Sequence, residues 1–141
     1  MMFTIPGPPV GKERPRVTGK RTYTAPRTAA YEEWIRLHAR NARVQMQDGP
    51  LKLTLVHAKQ VPASWSKKRK AAALAEVYAT GMPDLDNVVK AILDGLNRIA
   101  WRDDSQVAVI AASRIHVSNH SSVTVEIDSC LLYTSPSPRD S

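Results

Sequence analysis

Apolar positions along the chain follow two periods, and the switches between them mark out the elements. Residues 3–6 form a short extended run that Gly7-Pro8-Pro9 breaks. Over 28–46 the period turns helical, with Tyr31, Trp34, Ile35, His38, Ala42 and Met46 recurring mainly at steps of three and four. Asp48-Gly49-Pro50 stops that helix. Residues 51–57 alternate, with Leu51, Leu53 and Leu55 facing one side and Lys52 and Thr54 the other, which predicts a half-buried strand. Ser64 or Ser66 can cap a second helix reaching about residue 78, and Thr80-Gly81-Met82-Pro83 interrupts the chain after it. A third helix, 84–99, carries an apolar stripe of Leu85, Val88, Val89, Ile92, Leu93, Leu96 and Ile99 that is expected to pack on the sheet. Residues 105–117 and 121–127 read as two strands joined by a turn at Ser118-Asn119-His120. This order of strands and helices predicts the α/β (α+β) class: a single small domain, residues 1–129, with a mixed β-sheet packed by helices.

Residues 130–141 follow neither period and contain two Ser-Pro steps. Back-translated, Cys130 to Asp140 matches the transposon-end adaptor of a sequencing library. The tail is therefore expected to be non-native, and it is set aside from functional reasoning. The chain of 141 residues has 43% hydrophobic and 23% charged residues, which excludes a disordered class. A single cysteine excludes an internal disulfide and a multi-cysteine zinc site. The start lacks the pattern of a signal peptide, and no run is long enough to span a membrane. A cytoplasmic protein with no membrane partner is the expectation.

Charge changes the picture more than composition does. Residues 1–44 carry a formal +6, residues 45–81 a formal +4, and residues 82–129 a formal −3. Five carboxylates fall between Asp84 and Asp104. A basic body attracts polyanions such as nucleic acid, whereas a tight acidic focus repels them unless a cation lies between. Together they point to a metal-bridged phosphate site. The bland alternative is a basic protein with one acidic helix end.

The third helix carries the chemistry. Asp84 stands at its start, Asp86 lies in its first turn, and Lys90 follows one turn behind Asp86. Taken singly these are ordinary features: an aspartate cap favoured by the helix dipole and an i,i+4 ion pair. The Asp103-Asp104 pair after the helix changes the balance, because a strand returning beside the helix can bring Asp104 near Asp84 and Asp86. Three carboxylates and no histidine make a hard, oxygen-rich site that suits Mg²⁺, with Mn²⁺ able to substitute. A lysine among carboxylates stays protonated, so Lys90 is expected to act electrostatically on a phosphate or an attacking water. Lys12, Arg14, Arg16, Lys20 and Arg21 are the candidate DNA phosphate contacts, on a basic loop or hairpin that also holds Tyr23. Lys67 to Lys70 form a weaker basic face, Tyr23 and Trp65 can stack on bases although core or rim packing is the commoner use of such rings, and His38 is expected to be a satisfied core histidine. A DNA-binding or junction-binding module whose acids are purely structural is the competing reading.

Pro83-Asp84-Leu85-Asp86-Asn87, then Lys90, Leu93-Asp94 and Trp101-Arg102-Asp103-Asp104-Ser105-Gln106-Val107 resemble the RusA family of Holliday junction resolvases. The opening Gly7-Pro8-Pro9 with Lys12, Arg14, Pro15 and Arg16 is similar to that family too. The resemblance spans most of residues 3–129. It implies a homodimeric, magnesium-dependent endonuclease of recombination and repair that nicks four-way DNA junctions symmetrically, of a kind common in phages and prophages. It implies Asp84, Asp86 and Asp104 as the metal-binding catalytic acids and Lys90 as the catalytic lysine. Either member of the Asp103-Asp104 pair can supply the third acid; the resemblance favours Asp104. Asp94 corresponds to the family's helix aspartate, with a structural or supporting role.

Overall fold

The computed structural model describes residues 1–12 and 25–130, together with the backbone of 16–18 and 21–23. The alternating run becomes β4 (Leu51–Gln60), which buries Leu51, Leu53, Leu55 and His57 on one face and leaves Lys52 exposed. Strand β4 lies parallel to β5 (Val107–Val117) on one side and antiparallel to β6 (Ser122–Ser129) on the other. Strand β1 (Met2–Pro6) adds antiparallel to β6, so the mixed sheet has the order β1-β6-β4-β5.

The last two strands are joined by a short turn, as expected, yet they do not pair with each other. Their connection steps over the end of β4, where the Gln60 N–H donates to Ser121 Oγ at 2.9 Å and the Val61 N–H to the Val117 carbonyl at 3.0 Å. The strict alternation of Val123, Val125 and Ile127 suits an inner strand, and all three are buried. The unbroken small-apolar run 107–112 is left at the sheet edge, with Val109 and Ile110 each 46% exposed.

Helix α1 (Pro26–Asn41) opens with a proline already shaped for the first turn. It ends five residues earlier than the periodicity suggests, because Arg43 takes φ 59° and the Val44 N–H returns to the Ala39 carbonyl at 3.0 Å. Tyr31, Ile35 and Ala39 are buried, but Trp34 is not. Its indole donates to the Pro6 carbonyl at 2.8 Å, which holds the ring at the helix margin, edge-on to His38 at 4.4 Å. His38 is half-buried with Nε2 unpartnered, not the satisfied core histidine expected.

Helix α2 (Lys67–Glu76) is capped by Ser66, whose hydroxyl accepts the Arg69 N–H at 3.1 Å, and it buries only Ala73. Helix α3 (Leu85–Leu96) buries Val88, Ala91, Ile92, Gly95 and Leu96. It also lies tightly against α1: a Cβ at Gly95 would stand 3.0 Å from the Ile35 side chain. The core joins these residues to Phe3, Ile5, Leu53, Leu55, Val125 and the fully buried Trp101.

Short strands β2 (Arg16–Thr18) and β3 (Arg21–Tyr23) pair antiparallel, so the basic segment is a hairpin. Arg14 and Lys20 lie outside the described residues, as do the side chains of Arg16, Arg21 and Tyr23. Among the described residues no helix is long and apolar enough to cross a membrane.

Candidate functional site

The head of α3 forms one wall of a cleft of about 860 Å³. The N-terminal loop forms the other, held by the Lys12 N–H on the Asn87 carbonyl at 3.0 Å. The approach is tight: a Cβ on Gly11 would meet Pro83 Cβ at 3.0 Å and Asn87 Cβ at 3.1 Å, closer than side chains ordinarily pack. Asp84, Lys90, Lys12, Arg27, Pro83 and Asn87 are among the lining residues.

Asp84 is the residue before the first turn, but its carboxylate makes no capping bond; its backbone carbonyl takes the Asn87 and Val88 N–H groups. Asp86 and Lys90 are exposed, and the i,i+4 ion pair expected between them is not made. Asp84 and Lys90 therefore line the cleft, and Asp86 stands exposed in the same first turn, all without ion-pair partners among the described residues. Hard carboxylate oxygens of this kind suit Mg²⁺, which is commonly held by one or two acids together with phosphate oxygens and water.

The segment before Asp84 is anchored by a pair that the sequence reading missed. Arg114 on β5 is only 7% exposed. Its Nε donates to His57 Nδ1 at 3.1 Å, one terminal nitrogen donates to the Gly81 carbonyl at 2.7 Å, and the other to the Pro83 carbonyl. The guanidinium thus ties the central sheet to the residues that place Asp84. His57 must be neutral to accept this bond. Burial first, then the charges of Arg114 and Lys59, push its pKa down from 6.5 to about 4. Two signals were available in the sequence: a histidine in phase with Leu51, Leu53 and Leu55, and a lone arginine inside an apolar strand.

The tail end of α3 is organised differently. Lys12 Nζ lies 2.8 Å from Glu32 and 2.9 Å from Asp94. Burial alone would lower the Lys12 pKa, but hydrogen bonds and charge from Glu32 and Asp94 outweigh it and hold the ammonium above its usual range. Lys12, a candidate phosphate contact, thus bridges α1 and α3 through Glu32 and Asp94 while also lining the cleft. Asp94, expected in a structural or supporting role, pairs with Lys12 at 2.9 Å.

The Trp101-to-Gln106 stretch is mostly architecture. The Trp101 indole donates to Asn97 Oδ1 at 2.9 Å. Gln106 accepts the Arg102 N–H and donates to the carbonyls of Gln47 and Gly49. Asp103 accepts the Ser105 N–H at 3.0 Å and caps the 3₁₀ turn Asp104–Gln106, and these hydrogen bonds hold its pKa below the ordinary value. Asp104 is left as the uncommitted acid of the pair. Its pKa is raised by partial burial, then by the charges of Asp103 and Asp94.

Asp104 does not meet Asp84 and Asp86 within this chain. Strand β5 does return beside α3, but antiparallel to it, so it starts where the helix ends. Arg114 touches the residues just before Asp84, and the seven residues back to Val107 span about 23 Å of strand. The expected convergence is thus absent within the single chain. Among the described residues no three His, Cys, Asp or Glu side chains gather as a metal-binding group.

Comparison with known proteins gives this arrangement a context. The uncharacterized protein YqaN of Bacillus subtilis (strain 168) is 32% identical over 122 residues, covering 81% of this chain and 86% of that protein. The family model described as endodeoxyribonuclease RusA matches residues 6–128, a span holding the cleft, the basic hairpin and the late acidic pair. The chain belongs to the RusA endodeoxyribonuclease family.

Proposed function

We propose that this protein is a Mg²⁺-dependent endonuclease that resolves four-way (Holliday) DNA junctions by paired symmetric nicks, in recombination and repair, and that it works as a homodimer. The observation that carries this reading is the set of unpaired groups at the head of α3. A structural explanation of the acids asks Asp84 to cap the helix and Asp86 to pair with Lys90, and neither bond is made. Within the RusA family, unspent carboxylates beside a cleft are better read as ligands than as surface charge.

Asp84 and Asp86 would hold the divalent ion, which supplies a Lewis acid toward a phosphoryl oxygen. Lys90, one turn along, places its ammonium where negative charge builds on the scissile phosphate. Arg114 keeps the Gly81 and Pro83 carbonyls fixed and so sets the position of Asp84. Lys12 and the basic hairpin, with Arg14, Arg16, Lys20 and Arg21, supply backbone contacts to branched duplex DNA. Such contacts confer affinity without reading sequence.

The edge of β5 supports the homodimer and a place for Asp104. Beyond Ser113 the outer edge is covered by residues 77–79, through the Ala79 N–H on the Arg114 carbonyl and the His116 N–H on the Val77 carbonyl. Residues 107–113 have only β4 beside them among the described residues, and they expose Val109 and Ile110. A long apolar edge of this kind is a template for another strand. Antiparallel pairing of two copies centred on Ile110 sets Val107 opposite the partner's Ser113. It carries the partner subunit's Asp104 toward the end of the strand where Arg114 grips the residues before Asp84. On this reading each site takes Asp84, Asp86 and Lys90 from one copy and the third acid from the other.

Mixing two inactive variants tests it. Asp86→Asn and Asp104→Asn should each fail to nick a synthetic four-way junction. Their mixture should regain nicking, because one site of the mixed dimer combines intact acids from both chains. Inactive single variants with no recovery in verified mixed dimers would place all three acids in one chain. Normal nicking by Asp86→Asn at saturating Mg²⁺ would remove the metal-site reading altogether.

A further inference from the structure

A second cleft, of about 400 Å³, opens between α2 and the far ends of β4 and β5. It lies away from the head of α3 and shares none of the lining residues of the first cleft. Its walls combine aromatic rings with cations: Trp65, Tyr78 and His116 with Lys59 and Arg69, and one carboxylate, Glu76.

Three observations mark it as a built site. First, Tyr78 is 69% exposed, and strained backbone holds it there. Val77 takes φ 75° and ψ −60°, with the Tyr78 N–H on the Glu76 carbonyl at 2.9 Å. That is a γ-turn with positive φ at a β-branched residue, a conformation that persists only where the surroundings impose it. The His116 N–H on the Val77 carbonyl at 2.7 Å and the Ala79 N–H on the Arg114 carbonyl at 3.0 Å impose it here. Second, the His116 and Trp65 rings stand together in the wall, their centroids 6.3 Å apart. Third, the cations are already positioned. Arg69 stacks over Trp65 with its guanidinium carbon 3.8 Å from the ring centroid, and Lys59 Nζ is oriented by the Thr80 carbonyl at 2.9 Å. The neighbouring Lys67 and Lys68 on α2 are exposed and extend the positive surface.

We infer that this cleft takes one unpaired nucleotide of a DNA strand, its base against Tyr78 and His116 and its phosphate toward Lys59 and Arg69. The chemistry fits that class of ligand. Every base has a π-face for an aromatic platform, and a sequence-tolerant site needs little more than stacking and phosphate charge. Arg69 already covers one face of Trp65, so Tyr78 is the platform and Trp65 the wall behind it. The inference rests on the DNA-acting reading above, because it gives a branched substrate a place for a base freed at the crossover.

The test uses the full chain and the Trp65 fluorescence as reporter. A single-stranded thymidine tetranucleotide is titrated against the protein, and an abasic tetranucleotide with the same phosphates serves as control. Saturable quenching is expected in the wild type and in Asp86→Asn alike, and its loss in Trp65→Phe assigns the signal. Tyr78→Ala, a change at an exposed side chain that leaves the core intact, should weaken binding by about tenfold. Equal affinity for the abasic strand, or unchanged binding by folded Tyr78→Ala, would overturn the nucleotide assignment in favour of a general basic surface. Loss of quenching only when the protein self-associates would make the cleft an interface between copies. Binding that persists in a chain with no nicking activity would uphold the cleft while the nuclease reading fails, so the two failures are separable.

Discussion

The two ends of α3 carry similar charges and treat them in opposite ways. At the tail, Asp94 is held by Lys12, which also reaches Glu32 on α1. Those charges are spent on joining two helices. At the head, Asp84, Asp86 and Lys90 have no ion-pair partners among the described residues, although Asp86 and Lys90 are one turn apart. The difference lies in what faces each end. The tail abuts α1, where partial burial makes an unpaired carboxylate costly. The head opens on a cleft where water, a cation or a phosphate can serve. Residue type does not separate a structural acid from a functional one here; the neighbouring surface does.

The sharpest break in that comparison is expected at the head. Asp86→Asn should slow nicking of a four-way junction by at least about a hundredfold while leaving junction binding intact. Its urea midpoint should match the wild type, since the carboxylate holds nothing in place. A shifted midpoint would mean that the acid is spent structurally after all.

The anchor behind the head is the next target. His57 has its pKa depressed from 6.5 to about 4, so the unfolded chain binds the proton more readily than the folded one. The resulting stability is complete above pH 6.5. It is lost as pH falls through about 4 and amounts to about 3 kcal/mol. His57→Gln keeps an acceptor but does not titrate, so its urea stability should fall less than the wild type between pH 7 and pH 4. Parallel profiles for the two proteins would show that His57 is not the group responsible.

The smallest expected effect compares the two lysines. Lys12→Met leaves Glu32 and Asp94 facing each other and should cost about 2 kcal/mol, discounted for their partial exposure. Lys90→Met should change stability by less than about 0.5 kcal/mol while slowing nicking by about tenfold more than it weakens DNA binding. Equal losses of stability in the two variants would erase the contrast between the ends of the helix.

Much of this was legible in the linear pattern. The apolar stripe of α3, the alternation of Leu51, Leu53 and Leu55, the Ser66 cap and the basic hairpin are local features, set by the period of side chains and by turn chemistry. The role of Lys12 was not legible, because its partners Glu32 and Asp94 are 20 and 82 residues away. Nor was the Arg114–His57 pair, which depends on β5 lying parallel beside β4.

What the sequence determined by itself was the kind of chemistry available: a basic chain with hard acids and a lysine at one helix start, and a motif set shared with the RusA family. What only the tertiary structure decided was which charges remain unspent and where Asp104 stands. Covalent spacing sets the composition of a helix end, but the direction of the returning strand sets which end an acid reaches. Strand direction is settled by long-range pairing, and no local run of residues encodes it.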